Sequence, residues 1–462
     1  MFEPSVVRID ATTLRPDHDA PWQTKTPNSG HGSGVVIGPG RVLTGAHVVA
    51  DATFVQVQTV RDPTRYPARV AGVCHDADLA LLVVEDEKFE AGTQPATLGG
   101  ELPHLRDQVS VVGFPVGGEE VSVTAGVVSR IEVQRYTHSQ RRLLAVTVDA
   151  AINSGNSGGP VFCGDHVVGI AFQSLTDAEN IGEVVPTVLI RRFLAAVEHG
   201  RSVDVPSLSL DVQSGENPTL RRSLGLTEPG VGVLVRRVHY GGSAHGVLRE
   251  GDVLLELDGH RIAANGTIRY ADRIRTRFEA VLGSRFVGDT LPVKIMRDRA
   301  VIEVAVTLRS HRRLVPYNAH DTHPRYVVWG GLVFQPLTRD FLRTWNRWWE
   351  SAPSEFVQQY YTGVRTEDCR ERLLISQVLA DELTVGYAER YNELIDTVNG
   401  VRPRDLAHLA ALIDGAEGIV TVETSWGGRL VLDVAEVATH HARILERYRI
   451  PRDRSELLES EA

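Results

Sequence analysis

Short apolar runs alternate with glycine-rich breaks from about Val35 to Phe172: SGVVIG, RVLTGAHVV, TFVQVQTV, LALLVVE, QVSVVGF, VSVTAGVVSRIE, LLAVTVDA and HVVGIAF. β-Branched segments of this length, punctuated by turn residues, predict an all-β sandwich or barrel, and their near-regular spacing suits two small barrels. The period then changes. In PTVLIRRFLAAVEHG, Pro186 precedes apolar residues at 189, 190, 193, 194 and 197, and Gly200 follows. That spacing predicts a helix closing the domain.

The polar stretch GRSVDVPS reads as a linker, and beyond it GDVLLELDGHRI (251–262) is echoed by NELIDTVNGVRP (392–403). Each run reaches a turn at Asp258-Gly259 or Asn399-Gly400, dipeptides that accept positive φ, and a further strand-like run follows, LPVKIMRD or GIVTVETS. Two copies of one small domain explain the echo. The second copy carries an extra stretch, 336–372, in which Phe341, Trp345, Trp348 and Trp349 fall at helical spacing and predict an added helix packed on the domain. The expected domains are therefore 1–203, 207–311 and 318–440, with 441–462 as a carboxyl-terminal tail.

Composition narrows the function. A chain of 462 residues is too long for one ordinary core. Its 49 Lys and Arg against 59 Asp and Glu give a formal charge of -10, which argues against a nucleic-acid partner needing a basic footprint. Three cysteines, Cys74, Cys163 and Cys369, are a poor disulfide framework and fit a reducing compartment. Near the start, Glu3, Arg8 and Asp10 interrupt the apolar run that a secretory signal would need, and no later segment has the roughly eighteen consecutive apolar residues of a membrane span. These features predict a soluble cytoplasmic protein without a membrane span.

Three polar residues occupy telling contexts: His47 in LTGAHVV, Asp78 in HDADLALL and Ser157 in GNSGGP. A serine hydroxyl is a weak nucleophile at neutral pH. Acyl transfer needs a histidine to take its proton and a carboxylate to fix that histidine's tautomer. Their order along the chain, His then Asp then Ser, is that of the chymotrypsin arrangement. The glycines of AINSGNSGGP (151–160) fit the same chemistry, because amides of Gly155 and Ser157 could face the oxyanion of a tetrahedral intermediate. Cys74 with His75, Cys163 with His166, and His320 with His323 lack the four-ligand spacing of a zinc site, so no metal is expected. His440-His441 reads as a helix surface, and QRYTHSQRR (134–142) as a solvated loop between two strands.

TGAHVV, DADLALL and AINSGNSGGP, with GVVSRI before the last and NIGEVVPTVLI after it, resemble the protease domain of the Deg/HtrA serine proteases. PWQTKT, LVPYNAHD, WGGLVFQPLT, SQVLADELTVGY and RYRIPRD are similar to the plant-type branch, which has two PDZ domains and no envelope signal. The resemblance implies a mainly β chain: a trypsin-like double β-barrel followed by two PDZ-like α+β domains. It implies His47 as general base, Asp78 as its orienting carboxylate, Ser157 as nucleophile, and Gly155 with Ser157 as the oxyanion hole. Ile152 with Ile170, Ala171, Phe172, Gln173 and Ser174 would border the specificity pocket, whose apolar character favours a small or medium aliphatic side chain before the cut. Gly330, Gly331, Leu332 and Val333 would form the peptide-binding loop of the second PDZ domain, whereas the first has Ser209, in SLSL (207–210), where a glycine is usual. Position 154 is Ser where the family often has proline, and the resemblance implies an allosteric role for Arg135, Tyr136 and Arg142 in the loop at 134–142. The implied activity is ATP-independent, cofactor-free endoproteolysis of unfolded or misfolded proteins by a homo-oligomer, a trimer or a multiple of trimers. The rival reading is a PDZ scaffold or holding chaperone with a latent triad.

Overall fold

The computed structural model describes residues 3–115, 120–153, 155–174 and 181–456. The chain divides into two compact units, Met1–Thr13 with Pro27–His311, and Leu14–Thr26 with Arg312–Ala462.

The first unit opens with β1 (Val6–Thr13), β2 (Asn28–Gly38), β3 (Arg41–Thr44), the single helical turn α1 (Ala46–Val49), β4 (Ala52–Thr59), β5 (Arg65–Cys74) and β6 (Leu79–Val83). These strands close a barrel in the order β1-β2-β3-β6-β5-β4. After α2 (Glu87–Gly92) come β7 (Thr97–Leu98), β8 (Gln108–Gly113), β9 (Ser122–Arg135), β10 (Arg142–Val148), β11 (Pro160–Cys163), β12 (His166–Ser174) and β13 (Gly182–Pro186). The second barrel runs β8-β9-β10-β13-β12-β11, closed because β11 pairs with both β8 and β12, and β7 adds to β12.

The apolar runs are continuous, not alternating, because both faces of these strands are buried. Ile9, Val36, Val42, Ala80 and Leu82 fill the first barrel, and Val111, Val146, Val161 and Val184 fill the second. Residues of the opposite phase, Val35, Leu43, Leu79 and Leu81 from one barrel and Val112, Ala145, Phe162 and Ile170 from the other, meet in a seam. The helix expected after Pro186 is α3 (Thr187–Glu198), and its Leu189, Ile190 and Phe193 complete that seam.

The next α+β domain has β14 (Pro206–Ser207), β15 (Leu210–Gln213), α4 (Pro218–Leu224), β16 (Val233–Val238), β17 (Val253–Leu257), β18 (His260–Arg261), β19 (Thr267–Tyr270), β20 (Ile274–Arg277), β21 (Thr290–Arg297), β22 (Ala300–Thr307) and β23 (Arg309–Ser310). Its main sheet is β15-β16-β17-β21-β22. The turn expected at Asp258-Gly259 joins β17 to β18, with φ of 50° and 78° at its two residues. The β19–β20 hairpin, a separate two-stranded sheet, has no counterpart in the sequence reading.

The second unit holds β24 (Val327–Trp329), β25 (Leu332–Pro336), α5 (Arg339–Leu342), α6 (Trp348–Ser351), α7 (Ser354–Thr362), β26 (Leu373–Val378), β27 (Glu393–Val398), α8 (Leu406–Asp414), β28 (Ile419–Thr424), β29 (Arg429–Asp433) and α9 (Val434–Arg447). Its six strands form one sheet in chain order.

Three expectations change. The added stretch is three short helices instead of one, broken where Arg347 takes a left-handed φ of 50° and where Pro353 precedes α7. Phe341, Trp345 and Trp348 pack there with Phe356, whereas Trp349 is 53% exposed. The boundary at 440 falls inside α9, whose Ile444 is fully buried with Val328, Val333 and Ile450, so Ile444 and Ile450 belong to the domain core. Finally, residues 14–26 leave the expected first domain for the second unit, where Trp22 meets Tyr326 edge-on at 5.8 Å and Gln335 donates to the carbonyl of His18.

Close backbone approach in the second barrel fixes Gly126, since a Cβ there would lie 1.8 Å from the carbonyl oxygen of Asp149. No rotamer relieves a clash with backbone. Gly126→Ala is expected to destabilise the protease region by at least about 1–3 kcal/mol, read as a lower first thermal transition; an unchanged transition would refute this packing.

Candidate active site

His47 sits in the single turn α1 directly after β3, with Gly45 as its N-cap. Asp78, 1% exposed, follows the turn at the end of β5 and takes a left-handed φ of 54°. One carboxylate oxygen accepts from the His47 amide at 2.8 Å and the other meets His47 Nδ1 at 2.7 Å. This double grip fixes both ends of the residue. It makes Nδ1 the protonated nitrogen and leaves the Nε2 lone pair as the basic site. Burial disfavours imidazolium, but the charge and hydrogen bond of Asp78 outweigh it, so the His47 pKa is raised. Burial likewise opposes ionisation of Asp78, yet its His47 contacts and the nearby His138 hold the carboxyl far below the usual range.

Ser157 lies in the turn between β10 and β11, and that turn is bolted to the first barrel by Ser33, a fully buried residue of β2. The Ser33 amide donates to the Ser157 carbonyl at 3.0 Å, and its hydroxyl donates to the Gly155 carbonyl at 2.7 Å. The same hydroxyl accepts from the Phe114 amide at 2.8 Å, while the Ser33 carbonyl accepts from Thr44 Oγ1 at 2.7 Å. Gly158, with φ of 82°, closes the fit: a Cβ there would stand 2.5 Å from the Ser33 carbonyl oxygen and 3.1 Å from the Gly45 amide nitrogen. The serine turn therefore abuts the segment that carries His47.

The Asn156 carbonyl accepts from the Gly159 amide at 2.9 Å, and a planar trans peptide then points the Ser157 N–H the opposite way. Gly155 has φ of 98°, a conformation glycine adopts freely. Among the described residues, neither the Gly155 nor the Ser157 amide donates to a backbone carbonyl. Ser154 lies outside the described residues.

The expected specificity residues divide. Alternation along β12 sends Ile170 and Phe172 into the seam, where Phe172 stacks on Tyr136 at 4.3 Å. Ala171 faces the other way with Ile152, and Ile152 covers Gly182. Of the residues expected to border the pocket, Ile170 and Phe172 therefore turn away from Ile152 and Ala171, because successive strand residues face opposite sides. Gln173 and Ser174 are placed by their pairing with Glu183 and Gly182.

The loop before β10 also departs from its solvated reading. Tyr136 is buried and donates to the Leu144 carbonyl at 2.6 Å, whereas Arg142 is exposed. Arg141, which the sequence did not single out, bonds Asp76 at 2.5 Å, two residues before Asp78, and donates to the Val205 carbonyl at 2.8 Å. Asp76 in turn accepts from the Val205 amide at 3.0 Å. The Cys74 thiol, pushed up to about 12 by burial, is an inert partner of the Val203 carbonyl.

Neither peptide loop keeps an open form. Ser209 takes φ of 55° and is buried, with its carbonyl accepting from the His239 amide at 3.0 Å. In the second repeat, Gly330 and Gly331 are a two-residue hairpin turn, with Trp329 opposite Leu332, so β24 occupies one edge of β25 and β26 the other. A Cβ on Gly330 would strike Leu432 and Val437. Gly330, Gly331, Leu332 and Val333 are therefore a buried turn and strand, not an exposed carboxylate-binding loop.

Two closed barrels with a His-Asp pair and a glycine-rich serine turn at their seam define a trypsin-like serine peptidase. The trypsin-like peptidase domain profile matches residues 32–170, and a PDZ domain profile matches 315–457. The chain is 38% identical over 470 residues to Protease Do-like 2, chloroplastic, of Arabidopsis thaliana, covering 99% of this chain and 76% of that protein. It is 35% identical over 449 residues to Putative protease Do-like 13 of the same plant, covering 97% and 87%. It shares the fold of the HtrA-type protease AlgW with decapeptide, at 24% identity and a TM-score of 0.50, over 67% of this chain and 97% of that one. The chain belongs to the Do-like, or Deg/HtrA, family and is a serine endopeptidase.

Two measurements follow from this geometry. A base must be neutral to act, so kcat/KM should rise with pH through a midpoint above the ordinary imidazole value of 6.5. Asp78→Asn should lower that midpoint and reduce kcat on the order of 10⁴-fold; a midpoint that stays put would break the assigned coupling. Ser33→Ala leaves the Phe114 amide and Gly155 carbonyl without their shared partner. It should lower kcat/KM about ten- to a hundredfold in a protein that still folds, and full activity would show that the serine turn does not depend on this bond.

Proposed function

We propose that this endopeptidase cleaves unfolded or misfolded polypeptides through an acyl-enzyme on Ser157, as protein quality control. The observation that carries the reading is the His47–Asp78 pair beside a serine turn whose Gly155 and Ser157 carbonyls are both held by Ser33. Ser157 Oγ attacks the scissile carbonyl carbon while His47 Nε2 takes its proton. The resulting imidazolium faces the Asp78 carboxylate, and the Gly155 and Ser157 amides receive the oxyanion. Collapse breaks the C–N bond as His47 returns the proton to the departing amine. Water then attacks the ester, with His47 again taking and returning a proton, and the free acid leaves. No nucleotide, metal or organic cofactor enters these steps.

As the resemblance implies, Ile152 and Ala171, which pack together in the apolar core of the second barrel, border the pocket, and cleavage falls after small or medium aliphatic residues. The HtrA-type neighbour that shares the fold holds a decapeptide, in keeping with a polypeptide ligand for this reading. In keeping with the resemblance, the working form is a homo-oligomer, a trimer or a multiple of trimers. Free Cys74, Cys163 and Cys369 support a reducing compartment such as the cytoplasm, and no helix among the described residues is long and apolar enough to cross a membrane.

A fluorophosphonate probe should label the wild-type protein and fail on Ser157→Ala. The wild type should also cut a reduced, alkylated protein faster than its native form, after aliphatic residues. Absence of labelling even with substrate peptides present would favour a holding scaffold, and a dominant preference for cutting after Arg or Lys would remove the pocket assignment.

A further inference from the structure

We propose that the cleft beneath the β19–β20 hairpin binds an acidic, partly aliphatic segment of a polypeptide, at a site separate from the strand edge that PDZ domains use. The inference rests on the reading that polypeptides are the substrates.

The cleft has a volume of about 540 Å³ and is lined by Arg261, Arg269, Arg273 and Arg275, by one acidic residue, Asp272, and by apolar Val231, Ile268 and Ile274. No lining residue comes from the loop and strand at 207–213. Arg269 and Arg275 stand directly opposite each other across the two strands. Like charges in that register repel and destabilise a hairpin, so local stability does not explain the pair.

Several other cations of the same domain have carboxylate partners, Arg277 with Glu279, Arg285 with Asp258, Arg297 with Asp252 and Lys294 with Glu256, whereas Arg221, Arg222 and Arg309 meet carbonyl or hydroxyl oxygens. In the cleft, Arg261 pairs with Glu228 at the rim, and Arg273 donates to the carbonyls of Leu102 and Pro103. Arg269 uses Nε on the Asp272 carbonyl at 2.5 Å, and Arg275 uses Nε on Thr267 Oγ1 at 3.1 Å. Among the described residues, neither guanidinium has a carboxylate within ion-pair distance, so their terminal nitrogens remain to meet an anion from outside. A guanidinium pair matches carboxylates by charge and by parallel N–H donors.

The apolar part of the lining selects among anions. Val231, Ile268 and Ile274 suit aliphatic side chains between acidic ones, which a bare phosphate does not supply. In a chain of net charge -10, the arginines also form a local positive site that would draw an acidic segment to the domain beside the protease barrels.

The test uses full-length Ser157→Ala protein and a fluorescein-labelled peptide of alternating Glu and Leu with an amidated end, read by anisotropy. Binding should weaken as salt rises, weaken at least tenfold in Arg269→Gln/Arg275→Gln, and vanish when the peptide's Glu residues become Gln. Arg269→Lys/Arg275→Lys, which keeps the charges, should retain part of the affinity and serves as the folded control. A free-acid version should bind no tighter, which assigns the contact to internal side chains; tighter binding would assign it to the chain end and overturn the proposal. Equal binding by the Gln variant, equal binding of the Gln peptide, or capture of tripolyphosphate without peptide would overturn the proposal. Because the binding needs no turnover, its loss is distinguishable from failure of fluorophosphonate labelling in the wild type.

Discussion

The site depends on one buried serine. Ser33 belongs to the first barrel, yet its amide and hydroxyl hold the carbonyls on either side of Asn156 in the second, while its carbonyl accepts from the threonine that precedes Gly45 and His47. Four hydrogen bonds converge on a residue with no solvent exposure, where leaving any one unmade would cost about 1–3 kcal/mol. The base and the serine turn are thus referred to one fixed point. Neither barrel could supply this geometry alone.

The seam makes that reference rigid. Its strands bury one phase of side chains inside a barrel and the other phase between barrels, so sliding the barrels would disturb both cores. A second fastening lies on the Asp78 side. Arg141, whose side chain is 8% exposed, ties Asp76 to the Val205 linker segment, and Arg192 donates to the Val203 carbonyl at 2.6 Å and to that of Asp204. A buried guanidinium that loses its partner costs about 3–5 kcal/mol. The linker is therefore bonded to the turn that presents Asp78, and a displacement of one would be felt by the other.

Much of this was legible. Barrel strands announced themselves because β-branched runs between glycines have few other stable forms, and α3 because its period changed from that of the strands. His47, Asp78 and Ser157 stood out because proton transfer from a hydroxyl needs those three chemistries together. Ser33 did not stand out: a serine followed by glycine in a strand is unremarkable until its partners, more than eighty residues away, are known. Arg141 was hidden beside Arg142, since sequence cannot say which of two adjacent arginines turns inward. The glycines at 330 and 331 misled for a related reason. An exposed anion-binding turn and a tight hairpin turn ask for the same residue, and only the pairing of Trp329 with Leu332 separates them.

The most direct measurement is a crystal structure of the protein inactivated by an aliphatic peptidyl phosphonate. The account predicts phosphorus bonded to Ser157 Oγ, a phosphoryl oxygen within hydrogen-bond reach of the Gly155 and Ser157 amides, and His47 still joined to Asp78. A phosphoryl oxygen turned away from both amides, or attachment at another side chain, would contradict it.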